Sequence, residues 1–164
     1  MTRCLAPLLA FALASCGLHP LYSGGGAGSV AATLRTVEVG PIEGQVGWLV
    51  RNKLVDRLGA TGTATPQYRL DVKLDDNITG FGIRGDRAAT RERRTLRARY
   101  QLVSISSGTV VLDATAGSDA GIDVVSSEYA TVAAEQTAAE RLAEVLADQI
   151  VARLGAYAAP APAK

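Results

Sequence analysis

Three runs of the chain alternate apolar and polar residues with period two, and this pattern restricts the fold more than any other feature. In "QYRLDVKLDD", Tyr68, Leu70, Val72 and Leu74 fall on one side and Arg69, Asp71, Lys73 and Asp75 on the other. Only a strand has that period, so each run predicts a strand with one buried and one wet face. Between about Arg91 and Ile105, Leu96, Ala98, Tyr100 and Leu102 repeat the pattern, and in "TVVLDATA", residues 109–116, Val110, Leu112 and Ala114 do so again. The short "SSG" link between the last two predicts an antiparallel hairpin. A further β-branched run, "LRTVEV" at residues 34–39, predicts a fourth strand, ended by Gly40 and Pro41.

Two segments change to the helical period. From Glu43 to Leu58, Val46, Val50, Leu54 and Leu58 recur every fourth residue beside Leu49 and Val55, with Gly59 as the cap. From Tyr129 to Leu154, Val132, Ala139, Leu142, Leu146, Ile150 and Leu154 form a second stripe. The order β-α-β-β-β-α is satisfied by an α/β two-layer sandwich, with both helices on one face of a four-stranded mixed or antiparallel sheet. The opposite face is left for water or a partner. The single domain is expected at residues 33–155. "TGFGIRGDRAAT" is expected to be a glycine-punctuated loop able to follow a curved wall, and residues 156–164 a loose tail.

The first residues carry a different message. Arg3 precedes an almost wholly apolar run, residues 4–14, closed by the small residues Ala14 and Ser15. That layout is a signal sequence, and at about 11 residues it is too short to span a bilayer, which takes ~20. "LASC" resembles the lipobox of bacterial lipoproteins, which implies cleavage after residue 15 and a diacylglycerol and an N-acyl chain on Cys16. The cysteine count agrees: Cys4 leaves with residues 1–15, so Cys16 has no disulfide partner. Two or more acyl chains anchor stably where one does not. Residues 16–32, with "SGGGAGS", are then a lipidated start and flexible tether of roughly 15 Å over the seven glycine-rich residues. Gly17, in place of the aspartate that marks inner-membrane retention in such lipoproteins, implies the periplasmic face of the outer membrane.

Charge excludes some functions and localises others. With Arg3 removed, the 17 basic residues become 16, against 16 acidic ones, so the chain is no general nucleic-acid binder. Yet Arg84, Arg87, Arg91, Arg93, Arg94, Arg97 and Arg99 fall within 16 residues that hold only two acids, Asp86 and Glu92. Alternation puts Arg91, Arg93, Arg97 and Arg99 on one strand face, spread over about 26 Å at ~3.3 Å per residue. Guanidinium forks suit phosphates. The same face could instead meet a partner, or pair structurally with Asp71 and Asp75 of the preceding strand. Arg94 lies on the other parity and is expected outside regular strand pairing. Trp48 is either a core-edge residue or a partner anchor; Arg84, Arg87 and Arg94 are further partner-contact candidates. "RGD" at residues 84–86 is turn chemistry. His19, the sole histidine, has no partner set around it, and with Cys16 acylated the chain offers no nucleophile, no catalytic arrangement and no metal-ligand spacing, so no enzyme and no cofactor are expected.

Cys16, Gly17, Leu18, Pro20, Leu21 and Tyr22, followed by this element order, resemble the start of the LptE family; His19 is the departure. The resemblance implies a non-catalytic outer-membrane lipoprotein that plugs and supports the LptD β-barrel and assists lipopolysaccharide transport to the outer leaflet. Lipopolysaccharide is then the anion for Arg91, Arg93, Arg97 and Arg99. The alternatives are an accessory lipoprotein of general barrel assembly, or a small-ligand carrier, for which a two-layer fold with 5% aromatics is poorly suited.

Overall fold

The computed structural model describes residues 28–60, 62, 64–83 and 89–159. It forms the two-layer α/β sandwich in the order α-β-α-β-β-β-α: α1 (Ser29–Leu34), β1 (Val37–Val39), α2 (Gly44–Leu58), β2 (Tyr68–Ile83), β3 (Ala89–Ser104), β4 (Val110–Asp123) and α3 (Glu128–Ala158). The strands lie in the order β1-β2-β3-β4, with β1 parallel to β2 and the other pairs antiparallel. The sheet is therefore mixed. The parallel pair requires a crossover, and α2 supplies it.

Five boundaries differ from expectation. Residues 29–34 form a helix where tether and strand were expected: Val30 and Leu34, four apart, bury one side of a single turn in the core. Two apolar residues are too few to register as a period. The strand after it shortens to three residues. Its last bond runs from the Gly40 N–H to the Leu70 carbonyl at 3.0 Å, after which Pro41 has no N–H to donate.

The expected loop at residues 79–90 is strand over Thr79–Ile83 and again from Ala89, with Thr79 opposite Arg93 and Phe81 opposite Arg91. Gly82, at φ 76°, is skipped in the register, a backbone state that glycine tolerates without strain. β4 likewise continues through "GSDAGID" to Asp123, where weak strand formers are held by pairing with β3. Finally, α3 passes through a buried Gly155 to Ala158 instead of stopping there. Residues 156–158 of the expected tail are thus helical.

The core lies between the layers. Val50, Leu54 and Leu58 of α2 and Leu142, Leu146, Ile150 and Leu154 of α3 close over Leu70, Val72, Leu96, Ala98, Tyr100 and Leu102. Gln45 donates to Gln136 at 3.4 Å, and Arg57 to Glu144 at 3.1 Å and to Asp148, so the two long helices run parallel. Gly47 admits the chain that enters α2: a Cβ there would sit 2.7 Å from the Ile42 carbonyl oxygen.

Candidate functional site: the open face of the sheet

Both long helices pack on one side of the sheet, so the odd-numbered residues of β2 and β3 and, from Asp113 on, of β4 face away from them. Register sets the neighbours. Arg91 stands opposite Phe81 and Asp123, Arg93 opposite Thr79 and Gly121, Arg97 opposite Asp75 and Gly117, and Arg99 opposite Lys73 and Thr115. The four arginines of the sequence pattern do share this face.

Three of the four are compensated, and by β4. Arg91 Nε donates to Asp123 at 2.9 Å. Arg97 Nη2 reaches Asp119 at 3.1 Å, while its Nη1 donates to the carbonyls of Ser118 and Leu96 at 3.1 and 3.3 Å. Arg99 forks onto Asp113 at 3.2 and 2.9 Å, and Gln101 joins the same carboxylate at 2.8 Å. The expected partners on β2 are not used: Asp71 is taken by Arg69 at 2.9 Å, and Asp75 forms no ion pair among the described residues. Gly117 explains the choice, because Arg97 lies flat across it; a Cβ there would stand 2.5 Å from Arg97 Cδ. Glycine at this position opens β4, and its aspartates, to the arginine.

The guanidinium of Arg99, with help from Gln101, holds the Asp113 carboxyl below its ordinary range. The Thr95 hydroxyl, with Arg97, does the same for Asp119. A carboxylate depressed in the folded state contributes stability that is present above its unfolded pKa and lost as pH falls through the folded value. Urea midpoints are therefore expected to hold steady near neutrality and fall below about pH 4, the ordinary carboxylate range. Asp113→Asn with Asp119→Asn should flatten that decline. An unchanged acid limb in the double variant would show that these pairs contribute nothing.

Arg93 differs from the other three. It forms no ion pair among the described residues; its Cζ lies 5.5 Å from the Phe81 ring centroid, a cation–π contact, and only its longer-range field reaches Asp119. Lys73 also has no ion pair among the described residues, and it borders two depressions of about 710 Å³ each, both lined by Lys73 and Arg99. Sequence reading missed Lys73 because a lysine on the wet side of an alternating strand looks ordinary. The signal comes from register, which sets a second cation, Arg99, beside it.

Arg94, by contrast, faces the helices, in regular pairing opposite Ile78 and Ala120. It forks onto Asp76 at 2.6 and 2.9 Å and donates to the Glu135 carbonyl of α3 at 2.9 Å, leaving its side chain 12% exposed. It ties the β2–β3 hairpin to the helix layer. Trp48, on α2, is 62% exposed, which leaves it outside the core edge. Cys16, His19, Arg84 and Arg87 lie outside the described residues. Among the described residues no cluster could hold a metal, and no helix is long and apolar enough to cross a membrane.

Comparison with solved structures finds the same architecture in three lipoproteins. One from Caulobacter crescentus CB15 is 26% identical, covering 80% of this chain and 97% of its own at a TM-score of 0.66. A minor lipoprotein from Acinetobacter baumannii (14% identity, 74% and 92% coverage, TM-score 0.57) and rare lipoprotein B from Shewanella oneidensis (9%, 74% and 92%, 0.52) share the fold. A sequence search of curated proteins returned no match. The family model described as "LptE: Lipopolysaccharide-assembly" matches residues 34–154, from the end of α1 through the last buried leucine of α3. The chain belongs to the LptE family of lipopolysaccharide-assembly lipoproteins.

Proposed function

We propose that this chain is anchored through acylated Cys16 to the periplasmic face of the outer membrane, where it plugs and supports an LptD-like β-barrel and assists lipopolysaccharide on its way to the outer leaflet. The family match across the whole α/β unit carries the reading. Two features of the fold support it. The described chain begins at Gly28, and α1 leads to Arg35, whose side chain packs beside Gly59 at the C-terminal end of α2. The end of β2 at Ile83, where β3 begins its return at Ala89, lies at the opposite end, ~50 Å along β2 at ~3.3 Å per residue. A plug tethered at one end can thus present the other deep inside a barrel.

The second feature is the open face. Lipopolysaccharide offers phosphates and carboxylates, and the cations free to meet them are Lys73 and Arg93, with Arg91, Arg97 and Arg99 able to share their forks. Exposed Trp48, on the helix side, is the candidate anchor toward the barrel. No catalytic role is proposed.

The test is affinity purification of the full chain from outer membranes, with mass spectrometry of its N-terminus. One dominant, near-stoichiometric large β-barrel and an acylated Cys16 are expected. A spread of unrelated barrels would favour a general assembly accessory, and an unacylated terminus would remove the anchor.

A further inference from the structure

Among the described residues, β4 forms one border of the sheet, with β3 on one side and no strand on the other. Such an edge is a template for another strand, and proteins ordinarily blunt it with lysine, proline or a bulge. From Asp113 to Asp123 β4 has no lysine, arginine or proline, and it pairs with β3 without irregularity over that span. One side chain intervenes. The Gly117 N–H donates to Gln149 Oε1 at 3.1 Å, and Gln149 Nε2 donates back to the Gly117 carbonyl at 3.3 Å.

That reciprocal pair is the rung a neighbouring strand would make. A strand residue sends its N–H and C=O to the same side, and the side alternates along the chain. Since Gly117 directs both groups to the open border, the odd-numbered residues from Asp113 to Asp123 do the same. Gln149 therefore sits at the third of six outward rungs. It projects from α3, whose neighbouring Ile150 is wholly buried, so the amide is delivered from a rigid support.

We propose that Gln149 is an edge guard: its amide takes the place of a strand on β4 and keeps a second copy of this chain from pairing there. A second copy is the relevant competitor because little electrostatic repulsion keeps copies apart. The formal net charge is +1, and the aspartates of β4 are neutralised by Arg91, Arg97 and Arg99 of the same face. The guard is independent of any role in lipopolysaccharide assembly.

The test compares the full chain with Gln149→Leu, which keeps the bulk and loses both hydrogen bonds, and Gln149→Glu, which keeps only the acceptor. Gln149 is exposed, so both variants retain the core. In one detergent, amide exchange at Gly117 is expected to quicken about ten-fold in the leucine variant, the equivalent of one net hydrogen bond, and less in the glutamate variant. Sedimentation should then show a mass that rises with protein concentration for Gln149→Leu and stays constant for the parent. Faster exchange with a constant mass would overturn the guard role, and unchanged exchange at Gly117 would overturn the contact itself.

Discussion

Leu146→Ala is expected to cost about 3 kcal/mol of unfolding free energy, within the 2–5 kcal/mol typical of a buried leucine cut to alanine. Leu146 is wholly enclosed at the middle of α3, between the sheet and α2. The helix has little freedom to sink into the space left behind. Arg57 ties it to α2 through Glu144 and Asp148, Arg94 ties it to the hairpin through the Glu135 carbonyl, and Gln149 ties it to β4. A cavity should therefore persist instead of collapsing. The measurement is the urea midpoint, which should fall with an unchanged slope. Val145→Ala, one residue away and 41% exposed, should stay within about 0.5 kcal/mol of the parent. If the two variants unfold alike, Leu146 is not at the centre of the core.

Reversing both free cations, Lys73→Glu with Arg93→Glu, is expected to weaken lipopolysaccharide binding in vitro by about two orders of magnitude. A hydrogen bond to a charged group is worth ~1.5–3 kcal/mol, and removing two of them makes a hundred-fold effect a modest one. The pair is informative because neither residue holds an ion pair among the described residues; reversal gives up the Arg93–Phe81 contact and the longer-range field of Arg93 on Asp119, a smaller loss than breaking the hydrogen bonds of Arg97. Arg97 would be a poorer choice. Its reversal would place a carboxylate beside Asp119 and strip donors from the carbonyls of Ser118 and Leu96, so weaker binding could reflect damaged structure. Normal binding by a folded Lys73/Arg93 double variant would move the contact off this face while leaving family membership untouched.

The alternating strands were legible because a period of two in "YRLDVKL" states directly which side chains meet the core. Leu70 and Val72, and in β3 Leu96, Ala98, Tyr100 and Leu102, are buried as the pattern requires, whereas in β4 the expected Val110 is 50% exposed and Val111 packs on the core instead, where the β3–β4 register shifts. The long helices were legible for the same reason, down to the left-handed Gly59 that closes α2 at φ 64°, although at the start of α3 the expected Val132 is 55% exposed and Thr131 is buried in its place. Legibility failed where the local signal is weak and a neighbour supplies the order. α1 is a single turn held by two apolar residues, and the far half of β4 is held by β3 against its own composition.

The arginine face shows the same division. Alternation placed Arg91, Arg93, Arg97 and Arg99 together, and the chain alone determined this, because side-chain parity along a strand is a property of the backbone. Alternation could not say which carboxylate each arginine would take. Asp71 and Asp75 were the partners expected from the preceding strand, yet Asp113, Asp119 and Asp123 are the ones used. Pairing across strands depends on register and on the space above the backbone, which here means the bare Gly117 beneath Arg97.

What the amino-acid order determined, then, is the inventory: a lipobox-like start, two layers, and which residues face outward. What tertiary structure decided is the state of those residues. It neutralised three arginines, left Lys73 and Arg93 charged, turned Arg94 inward and set Gln149 on an open edge. The reason is physical. Periodicity is a short-range property that each segment carries by itself, whereas charge compensation and edge protection arise only when segments distant in sequence are brought within hydrogen-bonding distance.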